Sequence, residues 1–199
     1  MDETVMKMNR LNDVTFVIAV RIDSSGRSRN LDVLIDFIVH HFDSTVLVME
    51  ADIHRRYFLK VDPHRIQYFF EEDRRPVFQQ TLYLNLLYRK VKTPIIAGWD
   101  ADTLCTPRQI VEVVEQIRCG KAVMGIPHNG CLYPTTTELV RYYRDGQNPD
   151  ALIWHAVGFQ PVYGDLSVGG AFLADTKKYL QAGGENEFFQ GGNRKTGNA

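Results

Sequence analysis

Apolar residues fall along this chain in two alternating rhythms. Residues 14–20, VTFVIAV, form an unbroken β-branched run, the pattern of a strand buried on both faces. Residues 21–30, RIDSSGRSRN, are polar and read as a loop. Leu31, Leu34, Ile35, Ile38 and Phe42 then repeat at helical spacing. Residues 45–50, TVLVME, make a second short apolar run that ends on an acid. One β-loop-α-β unit is thereby complete, and the pattern recurs. Residues 66–70 predict a strand, weakened by Gln67, and Pro76 opens a predicted helix over residues 77–90. Residues 94–99 predict a compact strand ending at Asp100. Thr106-Pro107-Arg108-Gln109 is a helix-start signature: Thr106 caps, Pro107 suits the first turn and Gln109 reaches back. Ile110, Val113, Val114 and Ile117 give that helix its buried stripe, and Gly120 stops it. Residues 121–126 predict another strand.

After Pro127 the pattern loosens. Residues 128–168 are rich in Gly, Pro, Tyr and Asn, and only residues 137–143 look helical. Residues 169–174 restore a strand-like run, residues 175–182 predict a short helix, and Gly183 and Gly184 end it. Alternating strands and helices imply an α/β sandwich with a mainly parallel sheet. At 199 residues the chain reads as a single domain. A ligand-binding half spans about residues 14–126 and a second half about residues 127–192, with residues 193–199 expected to be a disordered tail.

Composition narrows the function classes. Hydrophobic residues at 44% and charged residues at 24% are ordinary globular usage, which removes collagen-like and disordered classes. Lys+Arg 23 against Asp+Glu 24 leaves a net charge of -1, so no global basic field points to nucleic acid. The three cysteines, Cys105, Cys119 and Cys131, make a poor disulfide framework, and a reducing cytoplasm is expected. The acidic start, Met1-Asp2-Glu3-Thr4, does not read as a signal peptide, and the apolar runs are too short to span a bilayer.

The chemistry concentrates in Asp100-Ala101-Asp102, directly after a buried strand and before a capped helix. In an open α/β sheet, ligands sit beyond the carboxyl ends of the strands. Two carboxylates there are hard oxygen donors suited to Mg²⁺ or Mn²⁺, which in turn can hold a diphosphate. Other strand ends carry Arg21, Asp23 and Glu50, able to meet phosphate, ribose or base. His40-His41 read as surface or flank residues of their helix. The clusters His54-Arg55-Arg56 and Arg74-Arg75 read as solvated faces, or as attractors of a diphosphate or an anionic membrane. His128, Asn129 and Tyr133 follow a strand, and Trp154 and His155 sit in the irregular region, where they either pack or border a ligand. Cys105 adjoins the acidic pair with no His placed to activate it, so it is not expected to be a nucleophile.

Over roughly residues 14–192 the chain resembles the GT-A glycosyltransferases, specifically family-2-like enzymes and the N-terminal part of β-galactosyltransferases. The likeness rests on VTFVIAVRID (14–23), VLVMEAD (46–52), FQQTLYLNLLY (78–88), IIAGWDADTL (95–104) and VGGAFLADTKKYLQAGGENEFFQG (168–191). The Asp-x-Asp and the Gly-Gly segment with its Asn-Glu-x-Phe are the specific pieces. The resemblance implies a GT-A fold and metal-dependent, inverting transfer from a nucleotide sugar, a UDP-sugar first, to a glycan or lipid-linked acceptor. It also implies work in surface polysaccharide synthesis, with peripheral membrane association. By the same resemblance Arg21 and Asp23 line the nucleotide pocket, Glu50 meets the base, and Phe78, Leu84 and Asn85 help form the donor site. Asp100 and Asp102 become the metal and diphosphate motif, with Asp102 the direct ligand. Gly169 and Gly170 form the floor where sugar and acceptor meet, and Glu187 and Phe189 lie beside the acceptor.

The resemblance also implies a Trp-Gly-x-Glu-Asp stretch whose acid deprotonates the acceptor. Here the chain reads Phe189-Gln190-Gly191-Gly192-Asn193-Arg194-Lys195, with cations where the acids are expected. The catalytic base is therefore unassigned. Either the chain is a shortened or altered transferase, or it binds a nucleotide sugar without turnover, or Glu185 or Glu187 takes the base's role. A nucleotidyltransferase is a further alternative, for which Ser24-Ser25-Gly26-Arg27 is a feeble match to a Gly-rich basic loop.

Overall fold

A computed structural model describes residues 8–59, 64–146 and 167–188. Its strands are β1 (Asn9–Val20), β2 (Phe42–Asp52), β3 (Ile66–Glu72), β4 (Ile95–Trp99), β5 (Met124–Gly125) and β6 (Ala171–Asp175). Its helices are α1 (Ser25–His41), α2 (Gln80–Tyr88), α3 (Pro107–Arg118), α4 (Thr137–Gly146) and α5 (Thr176–Gln181). The strands form one sheet in the order β3-β2-β1-β4-β6-β5. β3, β2, β1 and β4 are parallel, whereas β6 runs antiparallel to both β4 and β5. A mixed α/β sheet with a parallel majority is the expected class.

The apolar runs are continuous because both faces of the sheet are covered. Along β1, Val14, Phe16, Ile18 and Val20 join one core cluster with Leu34, Ile35 and Ile38 of α1 and Ile110, Val114 and Ile117 of α3. The alternate residues Val17 and Ala19 join a second cluster with Tyr83, Leu84, Leu87 and Tyr88 of α2. Period-two alternation thus decides not inside against outside but which helix layer each side chain meets. The pairings Val20↔Glu50 and Asp52↔Glu72 bring the carboxyl ends of β1, β2 and β3 to one edge.

Element boundaries depart from the pattern where polar residues mask it. α1 starts at Ser25 rather than near Leu31, because Ser24 caps it by accepting from the Arg27 amide at 3.2 Å. Phe42 belongs to β2, not to the helix. α2 begins at Gln80, and Pro76 and Val77 lie in the preceding turn. The capping box of Thr106 and Gln109 forms as expected. The strand expected over residues 121–126 is reduced to Met124–Gly125.

His41 was expected at the surface and is instead 5% exposed, with its ring 4.9 Å from that of Phe37. Among the described residues its Nε2 has no hydrogen-bond partner. Burial, with His40 adding like charge, lowers its pKa from 6.5 to about 4. Between those values the unfolded chain binds a proton that the folded chain does not. Stability held above the ordinary value is therefore lost as pH falls toward the folded one. We expect the urea midpoint to drop from about pH 7 to about pH 5, with roughly 1–3 kcal/mol traceable to this group. His41→Leu should flatten that part of the slope, and an unchanged slope in the variant would refute the assignment.

Candidate functional site

β4 ends on the buried Trp99, and the chain turns at once. The Thr103 amide donates to the Asp100 carbonyl at 3.2 Å, and the Trp99 indole N–H donates to the Thr103 carbonyl at 2.8 Å. Ala101 is buried beneath this turn, so Asp100 and Asp102 stand on either side of an anchor. Asp100 is half-buried, and its Oδ1 accepts from the Gln80 side-chain amide at 2.6 Å. Asp102 is exposed and, among the described residues, makes no hydrogen bond or ion pair.

The antiparallel β6 brings the glycine pair to the same turn. Trp99 pairs with Ala171, and the Asp100 amide donates to the Gly170 carbonyl at 2.8 Å. Gly170 has φ 95°, and a Cβ there would press against the Thr103 hydroxyl at 3.0 Å. Both demands favour glycine. The Gly169 carbonyl lies 3.0 Å from His128 Nε2. Because His128 Nδ1 accepts from the Gly130 amide at 3.0 Å, Nε2 carries the proton and donates to Gly169. Asp100, Asp102, Gly169, Gly170 and His128 therefore share one edge of the sheet.

The other predicted residues are placed differently. Arg21 spends its guanidinium on protein groups: the Ala51 carbonyl at 3.1 Å, the Arg75 carbonyl at 2.9 Å and the Asp73 carboxylate at 2.7 Å. Its cation also lies 5.5 Å from the Phe78 ring centroid. Asp73, 4% exposed, directly follows Glu71 and Glu72 and is not singled out in the sequence. Burial opposes its ionisation, but hydrogen bonds from the Arg75 amide and Tyr83, with the charges of Arg21 and Arg75, hold its pKa below the ordinary value. Burial and that carboxylate raise the Tyr83 phenol to about 12. Asp23 is exposed and pairs with Arg27 at 3.1 Å.

Glu50 is 0% exposed and turns inward. Its two oxygens accept from the Arg56 and Tyr57 amides at 2.9 and 3.0 Å, and the Tyr68 hydroxyl donates to it as well. This carboxylate holds the loop that follows β2. Asn85 is buried on α2 and pins the 184–187 turn. Its Oδ1 accepts from the Glu185 amide, and its Nδ2 donates to the Glu185 carbonyl and to Glu187 Oε1, each at 2.9 Å. Gly184, with φ 70°, lies against Asn85, where no Cβ would fit. Glu187 also faces Arg89 at 3.7 Å. Phe189, Trp154, His155, Arg194 and Lys195 lie outside the described residues.

The basic clusters are matched by acids: Arg56 meets Asp52 at 3.5 Å, Arg74 meets Glu72 at 2.7 Å and Arg75 meets Asp73 at 3.8 Å. Burial pushes the Cys105 thiol up to about 12, which makes it a poor nucleophile. Among the described residues no group of three or more His, Cys, Asp and Glu gathers as a ready metal cage. The Asp100–Asp102 pair fits a divalent cation of another kind, one that takes one or two carboxylates and fills its shell with phosphate oxygens and water. No helix among the described residues is long and apolar enough to cross a membrane.

No family model and no curated protein matches the sequence. Among solved structures the chain is similar to the mannosyltransferase PcManGT from Pyrobaculum calidifontis in complex with GDP-Man and Mn²⁺, at 15% identity and a TM-score of 0.52. That match covers 88% of this chain and 48% of the other, so this chain spans about half the mannosyltransferase's length. The bifunctional IspDF from Campylobacter jejuni matches at 10% identity and a TM-score of 0.47, over 89% of this chain and 45% of that one. Glucosyl-3-phosphoglycerate synthase from Mycobacterium tuberculosis in complex with UDP matches at 13% identity and a TM-score of 0.40, over 82% and 57%. The last two are too loose to weigh. The fold is that of the nucleotide-diphospho-sugar transferases, the GT-A fold.

The inward Glu50 has a measurable consequence. Glu50→Gln replaces an acceptor by a donor in front of two amides and a phenol, and should cost about 1–3 kcal/mol in urea unfolding. Hydrogen exchange at the Arg56 and Tyr57 amides should quicken. An equally stable variant that loses only nucleotide affinity would refute this bracing role and support contact with the base.

Proposed function

We propose that this chain is the donor-binding domain of a metal-dependent glycosyltransferase that uses a nucleotide sugar, a UDP-sugar first. The observation that carries this reading is the junction of Asp100-x-Asp102 with Gly169–Gly170, made by the 2.8 Å hydrogen bond from the Asp100 amide to the Gly170 carbonyl. It sits at the carboxyl edge of an α/β sheet, where such folds take their ligands. Asp102, exposed and unengaged among the described residues, is the direct ligand, with Asp100 beside it. Bound Mn²⁺ or Mg²⁺ would supply positive charge to a departing diphosphate. Arg21, Asp73, Phe78 and Tyr83 build the wall at the ends of β1 and β3 against which a nucleoside can rest. Gly169 and Gly170 offer backbone without side chains, which lets an acceptor approach the sugar. In an inverting transfer the acceptor oxygen bonds to the anomeric carbon, the bond to the diphosphate breaks, and the acceptor's proton passes to a base. The acceptor is a hydroxyl of a glycan or lipid-linked sugar, in surface polysaccharide synthesis at the cytoplasmic side of a membrane.

A second reading, nucleotide-sugar binding without turnover, is favoured by Glu187, whose Oε1 is engaged by Asn85 and faces Arg89. That oxygen already has protein partners where a base would need to meet the acceptor hydroxyl. The nucleotidyltransferase reading ranks behind both, because Ser24-Ser25-Gly26-Arg27 forms the cap and first turn of α1 rather than a free phosphate loop.

Calorimetric titration of UDP, UDP-sugars and GDP-mannose with and without Mn²⁺ tests the donor half. We expect Mn²⁺-dependent binding that Asp102→Asn weakens roughly tenfold or more. Metal-independent binding, or an unchanged variant, would sink the proposal. Release of UDP across a panel of acceptors separates turnover from binding alone.

A further inference from the structure

Gln80 was read from sequence as an interior residue of a longer helix, yet it is the first residue of α2 and reaches Asp100. We infer that Gln80 is a positioning residue that sets the orientation of the Asp100 carboxylate for a divalent cation. The inference rests on the metal-dependent reading above.

Three observations carry it. First, the Asp100 backbone is already fixed on both sides, its amide to Gly170 at 2.8 Å and its carbonyl to Thr103 at 3.2 Å. What remains to be set is the rotation of the side chain, and Gln80 Nε2 meets Oδ1 at 2.6 Å. Second, the donor stands on a rigid element. Tyr83, Leu84, Leu87 and Tyr88 bury α2 in the second core cluster, and Asn85 ties it to the 184–187 turn. A polar group held this way costs little further ordering when a ligand arrives. Third, the donor is neutral. At the same sheet edge the Asp73 carboxylate faces Arg21 at 2.7 Å and Arg75 at 3.8 Å, contacts that offset its charge. A neutral amide such as Gln80 orients a carboxylate without itself offsetting the charge, which is what a cation site needs.

The test is an electron paramagnetic resonance titration of Mn²⁺ with the full chain and UDP. Gln80→Met keeps the length and removes the donor. It should weaken Mn²⁺ binding roughly tenfold, in the range typical of residues that orient metal ligands, with melting temperature and metal-free UDP binding unchanged. Gln80→Lys keeps a donor but opposes the carboxylate's charge, and should weaken Mn²⁺ at least as much. Wild-type affinity in either variant would overturn the inference, as would a Met variant whose melting temperature and metal-free UDP binding fall together with its Mn²⁺ affinity. Failure of the wild-type chain to bind Mn²⁺ with UDP would instead refute the metal-dependent reading itself, and with it this role for Gln80.

Discussion

β6 enters the sheet antiparallel, pairing with β4 from Ile95↔Asp175 to Trp99↔Ala171. A parallel strand would start its ladder at the opposite edge. The reversed direction brings the segment before β6 to the carboxyl end of β4, and so sets Gly169 and Gly170 against Asp100. The hydrogen bond from the Asp100 amide to Gly170 extends that ladder by one step beyond the strands. The close approach of Gly170 to Thr103 and the reach of His128 to Gly169 follow from this pairing.

The carboxylates at this edge fall into two kinds, and their surroundings separate them. Glu50 and Asp73 are buried, and a buried carboxylate without partners would cost several kcal/mol. Each is accordingly satisfied by backbone amides together with a tyrosine hydroxyl, and Asp73 by arginines as well. Such groups brace loops. Asp102 is exposed, where a ligand can reach it. Asp100 lies between, half-buried, with the Gln80 amide on its Oδ1. This gradient of burial is also a gradient of availability, from bracing residue to ligand-facing residue.

The sequence pattern reports burial and says little about partners. Residues 14–20 and 95–99 were legible as strands because two-sided burial leaves an unbroken apolar run, and Thr106 with Gln109 was legible because a capping box is local. The first turns of α1 were hidden, since Arg27, Ser28, Arg29 and Asn30 are as polar as a loop and only the Ser24 cap marks the start. Strand direction is not written in side-chain alternation, so β6 could not be oriented before its pairing with β4 was seen. Glu50 and Asp102 look alike as acids near strand ends, and the difference between them comes from residues distant in sequence, such as Tyr68. Asp73 was concealed among neighbouring acids. Asp100 and Asp102 stand out in the sequence because a strand end followed by a capped helix is a local signal, whereas the proposed role of Gln80 depends on a contact across 20 positions of chain.

α2 joins both ends of the site. Gln80 at its start meets Asp100, and Asn85, a turn and a half further on, holds the Glu185 backbone and Glu187. Between them Tyr83 and Leu84 fix the helix to the sheet, and Tyr83 also bonds to Asp73. Nine residues of helix therefore connect the β3 end, the β4 end and the 184–187 turn. Both contacts are made from one short helix packed into the second core cluster. The packing that makes α2 a brace for the carboxylates thus also makes it the connection between the two sides of the site.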